Sequence, residues 1–288
     1  MKKYLPYIFP LVFIVGVFLC LNFVPVPSQN GQTVPDAQIS NVVSQNPTTP
    51  SEPTKPDQSA NSSVSATNPK GTAYAIPILM YHEIGNGPNS LYVPEDKFRT
   101  QMDYLYKSGY HTVTVSQALE LLASGKIPAK TIVLTFDDGY VSCYTKAWPI
   151  MKEFGFTGTF YVVSSFSDRY NYLTWEQLRT MQEAGLEIGS HSQHHPSLKT
   201  SSASIQSEEI LGSKKILEEK LGVPIKAFCY PIGAYNDNTL KLVKEAGYTS
   251  AVTVAYGYAN SKNNFFLIPR VRVPGWITLD NFAKNIQL

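Results

Sequence analysis

The sequence predicts an α/β protein folded as an irregular (β/α) barrel of about seven strands. From Tyr74 onward, strand-like runs alternate with helix-like runs, a pattern that implies parallel strands joined by crossover helices. The alternating stretch, 74–288, is about 215 residues long and falls within the range of a single barrel domain. Polar clusters recur at or just past the C-terminal ends of the strand-like runs, where the loops of a barrel converge. An open doubly wound sheet is the competing arrangement, and the number of strand candidates favours the barrel.

Ahead of this domain stand two segments of different character. Lys2 and Lys3 precede a nearly unbroken apolar run from Leu5 to Val24, interrupted by Pro6, Pro10, Gly16 and Asn22. At ~20 residues it suits a membrane span and exceeds the usual apolar region of a cleaved signal. No small-x-small cleavage site follows, and Phe18 and Leu19 before Cys20 do not suit a lipoprotein signal. Residues 1–27 therefore read as an uncleaved anchor with its lysines on the cytoplasmic side, a cleaved signal being the alternative. Residues 28–73 are dominated by Ser, Thr, Pro, Asn and Gln and cannot bury enough apolar surface to offset their ordering entropy. They read as a disordered tether that lets the domain stand off a membrane or reach across a wall layer. The expected location is the cell surface outside the cytoplasm, or the medium if the first segment is cleaved.

Within the domain each element has its own warrant. Residues 76–82 are apolar and extended. Glu95–Lys107 is amphipathic, with Phe98, Met102, Leu105 and Tyr106 at helical spacing. A strand over 111–115 and a Ser116-capped helix over 116–123 lead to Thr131–Phe136, a β-branched strand ended by a glycine turn. Helices are then expected over 146–154, 175–184, 205–221, 238–246 and 280–285. Strands are expected over 158–163, 186–190, 226–229, 250–254 and 266–273. The 205–221 helix reads as carrying Glu and Lys on its outer face.

The formal charge is +2, and no Lys/Arg cluster recurs on one face, so nothing suggests a nucleic-acid footprint. Of three cysteines, Cys20 lies in the anchor. Cys143 and Cys229 lie in apolar surroundings far apart in sequence, which reads as two buried thiols rather than a disulfide framework.

The chemistry gathers around Asp137-Asp138. Neighbouring strand residues point to opposite faces, so both carboxylates can serve one site only where the strand gives out. An Asp is costly to bury unless paired or bound to a metal, although an Asp-Gly turn with one acid capping the next helix has the same sequence. Four of the five histidines fall in the strand-end clusters; His111, at the start of a strand, reads as structural. His191 and His195 stand at i and i+4, and a single helical turn would face both imidazoles to one side, with His194 pointing elsewhere. Two His and one carboxylate, from Asp137 or Asp138, would leave open positions on a divalent ion such as zinc.

Thr135-Phe136-Asp137-Asp138-Gly139, His191-Ser192-x-x-His195-Pro196 and Tyr230-Pro231-Ile232-Gly233 resemble the successive motifs of the NodB-homology polysaccharide deacetylases, carbohydrate esterase family four. Pro77-Ile78-Leu79-Met80-Tyr81-His82 is similar to the opening of the poly-N-acetylglucosamine deacetylase branch, in which this His replaces a C-terminal one found elsewhere in the family. The resemblance runs from Ile76 to about Leu288. It implies hydrolysis of N-acetyl groups on an N-acetylglucosamine polymer such as peptidoglycan, a chitooligomer or poly-N-acetylglucosamine. It assigns Asp138, His191 and His195 to a metal, most often zinc with cobalt or nickel as substitutes, and Asp137 to the general base. His82 becomes the acid that protonates the departing amine, and backbone N–H groups from Tyr230 to Gly233 the holders of the oxyanion. Most members carry an Arg where this chain has Cys229, and Arg270 is the expected replacement, as in similar branches, a surface arginine being the alternative. Tyr140 and Trp276 are candidate apolar walls for a sugar or an acetyl methyl. Two other functions fit the same motifs: a catalytically silent glycan-binding domain and an O-acetyl esterase.

Overall fold

The computed structural model describes residues 75–288; the expected anchor over 1–27 and the whole of the linker over 28–73 lie outside the described residues. The chain enters through β1 (Ala75–Ile76) and β2 (Ile78–Tyr81), then β3 (Glu83–Ile84) and β4 (Tyr92–Val93), which pair with each other. Next come α1 (Glu95–Lys107), β5 (His111–Val113), α2 (Val115–Ser124) and β6 (Thr131–Phe136). The series continues with α3 (Trp148–Glu153), β7 (Thr159–Val162), α4 (Trp175–Glu183), β8 (Glu187–Ser190), α5 (Ala203–Ser207) and α6 (Ser213–Leu221). It closes with β9 (Ala227–Cys229), α7 (Asp237–Glu245), β10 (Ser250–Tyr256), β11 (Ala259–Asn260), β12 (Ile268–Arg272) and α8 (Leu279–Ile286).

Eight strands form the main sheet in the order β2-β12-β10-β9-β8-β7-β6-β5, and β2 also pairs with β6. That last pairing closes a parallel ring of seven strands, with β5 branching off β6 below β7. Neighbours along each strand part company. Ile78, Val133, Cys229 and Ile268 belong to one buried cluster, and Leu79, Leu134, Phe228 and Val271 to another. The larger cluster also holds Phe98, Met102 and Leu105 of α1, Leu178 of α4, Leu217 of α6 and Phe282 of α8, so it is the layer between ring and helices. The smaller one fills the inside of the barrel and takes in Val115, Ala118, Leu119 and Leu122, so that α2 stoppers the N-terminal end.

The ring closure is reinforced by aromatics on its outer face. Phe136 stacks on Tyr81 at 5.3 Å and on Phe160 at 4.7 Å, joining the first three barrel strands, while Phe98 of α1 meets Phe136 edge-on. Each such pair adds about 0.5–1.5 kcal/mol beyond the area it buries.

Three elements depart from the sequence-based expectation. The second helix is capped by Thr114 rather than Ser116, because Thr114 and Gln117 form a reciprocal capping box two residues earlier. The helix expected over 146–154 opens as a wide π-turn at Cys143–Ala147. The helix expected over 205–221 begins at a Ser202 cap and is interrupted by a π-turn, Glu208–Gly212, which rotates Glu209 from the expected outer face into the protein.

Candidate active site

Thr135 and Asp137 follow Val133 on the inner face of β6, and Asp137 is almost wholly buried at the mouth of the barrel. Arg270, from the inner face of β12, meets it with two parallel bonds: Nη1 donates to Oδ1 at 2.8 Å and Nη2 to Oδ2 at 2.7 Å. The other guanidinium N–H groups are also matched. Nε donates to Thr253 O at 2.9 Å, Nη1 to Thr135 Oγ1 at 3.0 Å and Nη2 to Cys229 Sγ at 3.3 Å. All five donors are satisfied, which is what makes a 1 % exposed arginine tolerable. Arg270 is thus no surface residue. Burial alone would raise the pKa of Asp137, but the charge and hydrogen bonds of Arg270 outweigh it and hold the carboxyl well below the usual carboxylate range.

Asp138 escapes the strand's alternation by taking φ 73°, followed by Gly139 at φ 80°. This left-handed step swings the second carboxylate to the mouth beside the first. Asp138 Oδ1 lies 3.4 Å from His191 Nε2 and 3.5 Å from His195 Nε2. Two donors on a tetrahedral ion with bonds of about 2.0–2.1 Å stand ~3.4 Å apart, so each imidazole nitrogen stands from the carboxylate oxygen at the spacing a zinc-sized ion requires, and all three donor atoms lie within 4.8 Å of one another. His191 Nδ1 donates to Cys229 O at 2.8 Å, which leaves the Nε2 lone pair facing the cage.

The segment carrying the two histidines is not a helical turn, as the i, i+4 spacing suggested. It is a loop in which Ser192 and His195 take φ 65° and 64°. Those two left-handed residues fold the backbone back, so that the imidazole centroids lie 4.7 Å apart. His194 points away and places Nδ1 2.7 Å from Glu209 Oε1. A second donor group, Asp137 with His191 and Cys229, is also close together. It is unsuited to a cation, because the Arg270 guanidinium already lies against Asp137 and Cys229, and His191 Nδ1 is committed to a carbonyl.

His82 follows β2 and brings Nε2 to 3.9 Å from Asp137 Oδ2. Its pKa is pulled down by burial, against the opposing fields of Asp137 and Asp138. In the loop after β9 the four residues divide. The Tyr230 side chain is core, with Oη donating to Phe266 O, and its N–H donates to Val252 O. Pro231 has no N–H, and Gly233 N–H is taken by Tyr230 O. That leaves the Ile232 N–H, on an exposed residue at φ 50°, as the donor of this loop without a partner among the described residues. Tyr140 stacks on Tyr172 at 5.2 Å. Trp276 is 71 % exposed and lines a surface groove with Tyr256, Arg272 and Pro274, apart from Asp138, His191 and His195. His111 bonds Thr131 Oγ1 through Nε2 at the opposite end of the barrel, the structural place expected of it. Cys143 and Cys229 are buried free thiols.

Sequence reasoning missed Thr253 and Thr135 as acceptors for Arg270, and Tyr172 as the partner of Tyr140. Thr135 was within reach, since inward alternation from Asp137 selects it; Thr253 and Tyr172 carry no local signal.

Fold and site together define a (β/α) barrel with a carboxylate–histidine cluster at its mouth and a second, arginine-clamped carboxylate beside it. The polysaccharide deacetylase family profile matches residues 124–251. Bacillus subtilis YxkH, a protein named for the polysaccharide deacetylases, is 34 % identical over 213 residues, which cover 74 % of this chain and 76 % of the relative. The Escherichia coli poly-β-1,6-N-acetyl-D-glucosamine N-deacetylase is 28 % identical over 233 residues, covering 65 % of this chain and 34 % of that enzyme. The solved Streptococcus pyogenes deacetylase PplD, in complex with acetate, superposes with a TM-score of 0.70 at 29 % identity, covering 74 % of this chain and 99 % of that one. The chain belongs to the polysaccharide deacetylase family.

Proposed function

We propose that the protein is a metal-dependent N-deacetylase acting on N-acetylglucosamine residues of a polysaccharide outside the cytoplasm. One observation carries this reading: Asp138 stands at zinc-compatible spacing from two imidazole nitrogens and adjoins a second carboxylate that Arg270 holds ionised. Asp138, His191 and His195 would hold the ion, with zinc favoured by the nitrogen-rich donor set and cobalt or nickel able to replace it. Such an ion would polarise the acetyl carbonyl and make a water at its open position more acidic. Asp137 is the general base. Arg270 fixes both of its oxygens and keeps it unprotonated, so it can take the proton of the attacking water. The Ile232 N–H is the donor for the oxygen that becomes negative in the tetrahedral intermediate. His82, whose Nε2 lies 3.9 Å from Asp137 Oδ2, would pass a proton to the leaving nitrogen. Tyr140 with Tyr172 supplies an aromatic wall, and Trp276 an exposed ring for a neighbouring sugar.

The names of the relatives support poly-N-acetylglucosamine as first choice, with peptidoglycan and chitooligomers next. An apolar segment over 1–27 and a polar one over 28–73 support a domain tethered at the cell surface. The test is acetate release from poly-β-1,6-N-acetylglucosamine, peptidoglycan and chitooligomers, with zinc, cobalt or nickel and with chelator. Chelator-sensitive release from one of them is expected. No release from any polymer with any of the three ions overturns the enzyme reading and leaves a glycan-binding domain. Release confined to O-acetylated substrates overturns the N-deacetylase reading.

A further inference from the structure

The His191–His195 loop must hold two imidazole nitrogens at fixed spacing, yet it belongs to no helix or strand and contains two left-handed residues. Its two middle residues converge on one side chain. Glu209 Oε2 accepts the N–H of Gln193 at 2.9 Å and the N–H of His194 at 2.7 Å, and Oε1 meets His194 Nδ1 at 2.7 Å. Glu209 is only 4 % exposed, and its one ion-pair partner among the described residues is His194. A carboxylate buried at that cost is retained only where its charge-assisted bonds are needed. The helix that carries it is shaped for the purpose. The π-turn Glu208–Gly212 carries Glu209 on the buried side, and the Gln193 side chain lies over Gly212. The helix thus grips residues 193 and 194 directly between the two histidines.

We propose that Glu209 is a positioning residue for the metal cage, holding the loop in the one conformation that turns both Nε2 atoms toward Asp138. It touches no proposed metal donor itself and acts through the backbone of the loop, and the inference rests on the metal reading above. Both amide bonds fall on Oε2, so a glutamine whose carbonyl oxygen takes that place keeps them, whereas alanine loses everything. The full-length protein, stripped of metal, is titrated with zinc in competition with a chromogenic chelator, well below the melting temperature. Glu209→Ala is expected to weaken zinc binding about 10–100-fold, the usual effect of removing a group that orients metal ligands. Glu209→Gln should recover most of this, and His194→Ala, which gives up only the Oε1 contact, should fall short of the roughly 10-fold lower end of that range. A purely structural role would lower the melting temperature of Glu209→Ala and leave its zinc affinity unchanged. That result, in a folded variant, overturns the inference while the metal reading stands. Absence of zinc binding by the unaltered protein overturns both. A glutamine variant as weak as the alanine one also overturns it, because the amide bonds would then not be what holds the loop.

Discussion

Two adjacent aspartates in one chain meet different partners because one backbone angle separates their environments. Asp137 continues the strand into the arginine clamp, and Asp138 leaves it at φ 73° for the histidines. Asp137→Asn should abolish turnover and leave zinc binding nearly intact, while Asp138→Asn should lose both. The reverse behaviour in parallel metal and acetate assays would exchange their roles. Arg270→Met strands a buried carboxylate and should destabilise the protein by about 3–5 kcal/mol. The sign with pH follows from the depressed pKa of Asp137 in the folded state. The pair stabilises fully above the unfolded carboxyl value of about 4 and loses that stabilisation as pH falls toward the folded value. Urea unfolding of wild type and Arg270→Met should therefore differ most near neutrality and converge in acid. His82→Ala should slow turnover ~10²–10⁴-fold with metal content and fold unchanged, since that is the usual worth of general-acid help. Near wild-type rates from the folded variant would remove His82 from the mechanism.

At the scale of elements, the site depends on packing between strands that donate no catalytic group. Gly189 of β8 lies under the Tyr161 ring of β7, where an added Cβ would stand 2.6 Å from a ring carbon and 3.0 Å from Ala227 O of β9. The guanidinium of Arg270 lies over that same ring, 5.9 Å from its centroid. Position 189 therefore sets the floor on which the arginine clamp rests. Gly189→Ala overpacks the inside of the barrel and should cost about 1–3 kcal/mol in urea unfolding. An unchanged midpoint would mean the β7–β8–β9 wall yields more than this geometry implies.

Across the whole molecule, the candidate donors come from loops after β6 and β8, their supports from β9, β10, β12 and a helix, and ring closure brings them together. A ligand that bridges such loops binds the folded state alone and stabilises it by mass action. Zinc at about a hundred times its dissociation constant should add ~2.7 kcal/mol, seen as a higher melting temperature that chelator reverses. The gain should be absent from Asp138→Asn. If the melting temperature of wild type ignores zinc, the cage does not hold the ion.

The barrel and the order of its elements were legible in the sequence because they depend on local rules, which also set two histidines beside one of two aspartates; the choice of Asp138 over Asp137 came from the family resemblance. Alternation marks Thr131–Phe136 as a strand, a glycine marks its end, and strand-end placement separates His82, His191 and His195 from His111. What the sequence alone left open were matters of direction and distance. It could not decide whether Arg270 reaches inward, because the Asp137 it meets is 133 positions away and only the closed ring makes them neighbours. It offered a helical turn for His191 and His195, whereas the backbone reverses through two left-handed residues whose conformation the Ser192 side chain and Glu209 help to hold. It put the acids of the 205–221 helix on the solvent side, since helical periodicity assumes an unbroken α-helix and cannot foresee a π-turn. Local pattern determines which residues stand at the mouth of the barrel; long-range packing alone decides which way they face and what each one touches.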